Sequence, residues 1–126
     1  KRLLEALETM EECRVEGLAV VNKEGKVVGV ITEGDIVRAI LLTYEEIAEE
    51  GFHLEEAERR AAFALNKKVE EVMSKAPLVV KEEVPLMKVL SLMAIERVGC
   101  LPVVNGEGRL TGTVRRRELL KAFKGI

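Results

Sequence analysis

Asp35 is the only aspartate among 22 acidic residues, so its position in the chain is worth asking about. It follows Thr32 by three residues, in the run Gly29-Val30-Ile31-Thr32-Glu33-Gly34-Asp35-Ile36. A carboxylate can accept two hydroxyl protons at once in charge-assisted bonds, as from a sugar diol. A helix that starts at Glu33 offers free N–H groups and a positive dipole end to a phosphate. Gly34 leaves that approach uncluttered. The same spacing is also a helix start signal, with Thr32 as N-cap and an acid in the first turn. The two roles do not exclude each other.

The other reactive residue types form no catalytic set. His53 is the single histidine, and the only serines are Ser74 and Ser91. No nucleophile, base and orienting group fall into a pattern, and no phosphate-binding G-x-x-x-x-G-K-[ST] loop is present. Cys13 and Cys100 lack C-x-x-C spacing and have no nearby histidine. They read as buried free thiols and not as zinc ligands. The expectation is no catalytic residues, no metal and no obligatory cofactor.

A third cluster, Arg115-Arg116-Arg117, opens a helix near the C-terminus. Cations at a helix N-terminus oppose its dipole. The cluster is explained by an anion such as a phosphate tail on Arg115 and Arg116, by a salt bridge, or by solvent alone. A net charge of −2, the absence of aromatics nearby and the lack of a nucleic-acid motif count against binding nucleic acid.

These residues sit inside a repeat. Residues 1–43 align without gaps on residues 84–126, an offset of 83, with 13 identities. Leu3, Leu7 and Met10 fall on Leu86, Leu90 and Met93, and Leu18 to Gly25 falls on Leu101 to Gly108. Each copy reads as a helix with apolar residues at three- and four-residue spacing, then a strand, a hairpin turn whose glycine supplies a left-handed residue, a second strand and a second helix. The strands are expected at Leu18–Val21 and Val27–Ile31, and at Leu101–Val104 and Leu110–Val114. Ahead of the second copy, Val69 to Val80 reads as a helical turn, a break at Pro77 and a strand. The first copy has no counterpart, so its opening strand is expected to be missing and the chain to be part of a longer protein. Leu41 to Asn66 reads as charged helix, broken in two at Gly51-Phe52-His53.

At 126 residues with 48% apolar and 3% aromatic content, the chain suffices for one ordinary domain or two small paired ones with an aliphatic core. No apolar run spans a membrane and the N-terminus is unlike a secretory signal, which points to the cytoplasm. The absence of Gln and the 33% charged content fit a thermophilic source.

Doubled β–α–β–β–α units resemble a pair of CBS domains. The residues that carry the resemblance are the Gly29–Ile36 motif, the hairpin Leu101-Pro102-Val103-Val104-Asn105-Gly106-Glu107-Gly108 and the lead-in Val69-Glu70-Glu71-Val72-Met73. The resemblance implies an α+β fold of tandem units packed as a pseudo-two-fold pair. Its expected boundaries are 1–43 for an incomplete first unit, 44–66 for a helical insert and 67–126 for the second unit. It implies regulation by an adenosine nucleotide or S-adenosyl compound held in the cleft between units, and a homodimer. Asp35 would then bind the ribose and Thr32 the phosphate or ribose. Val69, Val72, Met73, Gly99, Cys100, Leu101 and Pro102 would wall the base. In the second copy Arg115 replaces Thr and Glu118 replaces Asp, which departs from a nucleoside site. The alternatives are a pair that serves only as a scaffold, and a module that binds another anion or a nucleic acid through Arg115–Arg117.

Overall fold

The computed structural model describes residues 1–51, 53–75 and 77–126. In chain order the elements are α1 (Leu3–Cys13), β1 (Gly17–Val21), β2 (Val27–Thr32), α2 (Glu33–Glu49), α3 (Leu54–Ala61), a 3-10 turn (Ala62–Asn66), α4 (Val69–Val72), β3 (Val80–Lys81), α5 (Leu86–Glu96), β4 (Cys100–Val104), β5 (Leu110–Arg115) and α6 (Arg116–Lys124). The protein is a mixed α+β structure. Strands β1 and β2 form one small sheet, and β3, β4 and β5 form another in that order.

The chain divides into two compact units. The first comprises residues 1–18 and 30–74, and the second comprises 19–29 and 75–126. The base of the β1–β2 hairpin thus belongs to the first unit and its tip to the second.

In the first unit, Leu3, Ala6 and Met10 line the buried face of α1, and Ile36 and Ala39 that of α2. Ile31, Ala57, Ala61, Ala64 and Val69 are also buried in this unit. Small side chains there let α2, α3 and the 3-10 turn approach closely. Helix α2 runs unbroken through position 43, where the sequence repeat ends. It stops before Gly51, which takes φ +88°. Helix α3 then starts after His53, an exposed N-cap. Phe52 of the expected break lies outside the described residues. The backbone of Lys1 and Leu3 bonds the stretch leading into α4: Leu3 N donates to Lys67 O at 2.9 Å and Val69 N to Lys1 O at 2.8 Å.

In the second unit, β3 runs parallel to β4 with Val80 opposite Val103, and β5 runs antiparallel with Leu101 opposite Val114. Val80, Val89, Met93, Leu101 and Leu119 form its core, closed by Leu78, Leu90, Val98 and Phe123. The two hairpin tips meet here. Val27 N donates to Gly108 O at 3.3 Å, and Leu110 N to Gly25 O at 3.0 Å. Each bond is the image of the other under the repeat offset of 83, the pattern of a self-complementary contact.

Both hairpins are built alike. Gly25 and Gly108 each take φ +80°, a backbone that costs most side chains about 1–2 kcal/mol. Asn22 Oδ1 accepts from Glu24 N and Lys26 N, and Asn105 Oδ1 from Glu107 N and Arg109 N. Helices α1 and α5 end on the left-handed residues Arg14 and Arg97, both with φ 55°.

One expectation is corrected. Cys13 is exposed, and only Cys100 is partly buried; both are free thiols. Cys13 follows Met10 at helical spacing. It is the last residue of α1, though, and the left-handed Arg14 turns the chain away there.

Candidate functional site

Strand β2 delivers Thr32 to the start of α2, and the two ends of its motif close on each other. Asp35 N donates to Thr32 Oγ1 at 3.2 Å, and Thr32 N donates to Asp35 Oδ2 at 2.9 Å. This reciprocal cap satisfies two groups left over by the helix end. The guanidinium of Arg38, one turn on, donates to Asp35 Oδ1. The Asp35 side chain is 13% exposed and that of Arg38 is 67% exposed. Each carboxylate oxygen has two acceptor positions. One on each oxygen is used by these bonds, so two remain for a ligand.

Helix α4 packs beside α2 in the same unit. Ser74, just beyond its C-cap, is tied to β2 two residues ahead of Thr32. Val30 N donates to Ser74 O at 3.1 Å and Ser74 N to Val30 O at 2.9 Å. The structure therefore gathers Val69, Val72 and Met73 near the β2–α2 junction. Val69 is buried, whereas Val72 and Met73 are partly exposed and can present apolar surface.

The remaining predicted residues belong to the second unit. Gly99 precedes β4, and its carbonyl accepts from Arg116 N at 2.9 Å. The Arg116 guanidinium lies over Gly99, its carbon 3.2 Å from where a Cβ would stand. A side chain at position 99 would have to push the exposed end of Arg116 aside. Leu101 is 1% exposed and belongs to the core, and Pro102 is buried too. Burial raises the pKa of Cys100; the charge of Arg115 opposes this and that of Glu118 adds to it. The thiol therefore stays protonated, a poor nucleophile or metal ligand.

The start of α6 carries half of the α2 arrangement. Arg115 N donates to Glu118 Oε1 at 3.3 Å. Arginine has no acceptor to return the bond, so the reciprocal half is lost. Arg115, Arg116 and Arg117 are all exposed.

Sequence reasoning missed Arg38 and the Ser74–Val30 pairing. The i,i+3 spacing from Asp35 was the signal for the first. Among the described residues, no three His, Cys, Asp or Glu side chains are placed to hold a metal. No described helix is long and apolar enough to cross a membrane. An open groove lined by Ile47, Glu56, Arg59, Arg60 and Phe63 contains none of the predicted site residues.

The CBS domain family model matches residues 2–42 and 69–125. The chain is 30% identical to the uncharacterised protein MJ1426 of Methanocaldococcus jannaschii, over 96% of this chain and 80% of that protein. It is 34% identical to inosine-5′-monophosphate dehydrogenase of the same organism, over 95% of this chain but only 20% of that enzyme. Among solved structures, protein MJ1225 of M. jannaschii matches with a TM-score of 0.81 and 26% identity, over 98% of this chain and 41% of that one. CBSX2 in complex with AMP matches with a TM-score of 0.75 and 24% identity, over 99% of this chain and 83% of that one.

Proposed function

The chain belongs to the CBS-domain family, and on that premise we propose that it is a regulatory module that binds an adenosine nucleotide or S-adenosyl compound through Thr32 and Asp35. The observation that carries the proposal is the Asp35 carboxylate. It is fixed at the start of α2 by the bond from Thr32 N and keeps an acceptor position on each oxygen. A ribose diol needs two such positions. CBSX2, which shares the fold, has been solved with AMP.

In this reading Thr32 and the start of α2 receive the phosphate, and Val69, Val72 and Met73 supply apolar contact to the base. The family pattern also gives base contacts to Gly99, Cys100, Leu101 and Pro102, and we carry that assignment over. The chain covers a fifth of the dehydrogenase it matches, so that enzyme's activity is not carried over. The role is regulatory, without a catalytic residue or an obligatory cofactor. The same reading implies a cytoplasmic homodimer. Light scattering at micromolar concentration checks the dimer, which a mass of one chain would contradict.

Calorimetric titration with AMP, ADP, ATP and S-adenosylmethionine tests the function. Saturable binding near one site per chain is expected for at least one of them. No binding across the panel favours the second reading, a scaffold without ligand. The observation behind that reading is that the reciprocal cap already gives Thr32 and Asp35 a structural role.

A further inference from the structure

We infer that Arg38 is the residue that makes this site select a phosphorylated ligand over a bare nucleoside; the inference rests on the ribose reading of Asp35. The geometry around Gly34 carries it. A Cβ built on Gly34 would stand 3.7 Å from Arg38 Nη1 and 3.7 Å from Thr32 Oγ1. Beyond the glycine's chain neighbours and its own helix backbone, no other described atom comes within 4 Å of that point. The spot is an open position between a guanidinium and a hydroxyl, at the start of a 17-residue helix.

Arg38 is out of place by helix electrostatics. Its charge is folded back toward the N-terminal end of α2, where the dipole disfavours cations. One bond to Asp35 Oδ1 holds it there, and two-thirds of the side chain is in solvent. The arginine end of the pair is solvated, which weakens the bond and leaves Arg38 able to turn to another anion. A phosphate over Gly34 would meet the Arg38 guanidinium, the Thr32 hydroxyl proton and the positive helix end together. Arg38 would turn from Asp35 to the phosphate, while the ribose keeps the open acceptor positions of Asp35. A ligand without a phosphate would use the acceptor positions that Asp35 already leaves open and would gain nothing from Arg38.

The second repeat shows the contrast. The positions of Thr32, Gly34, Asp35 and Arg38 are taken there by Arg115, Arg117, Glu118 and Lys121. Arginine stands where Gly34 leaves space.

The test is titration of the full chain with AMP and with adenosine, in wild type, Arg38→Ala and Gly34→Ala. Wild type is expected to prefer AMP. Arg38→Ala should lose about tenfold or more of its AMP affinity, the size of one charge-assisted hydrogen bond, and keep its adenosine affinity. Gly34→Ala should show the same selective loss with an undiminished melting temperature, because alanine favours the helix. Equal loss for AMP and adenosine in Arg38→Ala, or no loss for either, overturns the inference while leaving the ribose reading in place. Wild type that binds neither compound overturns the ribose reading and this inference with it.

Discussion

Thr32 and Asp35 bond each other twice, once in each direction, across the first turn of α2. The spacing that resembles a nucleotide motif is therefore also a structural device. Substitutions here change stability as well as binding, and the two effects need separate readouts.

Thr32→Ala is expected to lower the unfolding free energy by about 1 kcal/mol, the usual cost of an N-cap. Asp35→Ala should cost at least as much, because it also leaves the part-buried N–H of Thr32 without its side-chain acceptor. Urea denaturation of both variants beside wild type measures this. Unchanged midpoints would contradict the capping geometry.

The hairpin glycines separate conformational from spatial demands. Gly108→Ala is expected to cost about 1 kcal/mol or more, since its φ of +80° disfavours any Cβ. Gly106→Ala, with open space around it and no positive φ, should be close to neutral. Equal thermal shifts in the two variants would refute the assigned turn.

The two thiols should differ in reactivity. Cys13 is exposed, and Cys100 is partly buried with its pKa raised by that burial. Mass spectrometry after brief treatment with iodoacetamide should show alkylation at Cys13 first. The folded state holds the Cys100 proton more tightly than the unfolded chain does. Its contribution to stability is thus fully present below the ordinary thiol pKa and is lost as pH rises through the raised value. Wild type should lose stability in that alkaline window relative to Cys100→Ala. Faster labelling of Cys100, or parallel pH profiles, would count against this assignment.

Leu101→Ala should destabilise the protein by about 2–5 kcal/mol, because the side chain is 1% exposed in the core of its unit. Val72→Ala, at a partly exposed position, should cost far less and act mainly on ligand affinity. Denaturation and titration of both variants check the pair. A well-folded Leu101→Ala with weakened binding would give Leu101 a direct ligand role.

Much of the fold was legible because its signals are local. The apolar spacing at Leu3, Leu7 and Met10 and the left-handed glycines of both hairpins mark their elements directly. Thr32 and Asp35 mark a helix start by spacing alone. What escaped depends on tertiary context. The general tendency of cysteine to be buried predicts a buried Cys13, but its place at the end of α1, before the left-handed Arg14, exposes it. The pairing of Ser74 with Val30 joins residues far apart in sequence, and no composition or period reveals it. Arg38 carries no motif of its own, and only the folded chain sets its guanidinium beside Gly34.

The central claim, that Asp35 holds a ribose, is tested most directly by calorimetric titration of AMP into wild type and Asp35→Ala, at a temperature where circular dichroism shows both variants folded. The account predicts saturable binding near one site per chain in wild type, and its loss in the variant. Equal AMP affinity in the two proteins would contradict it.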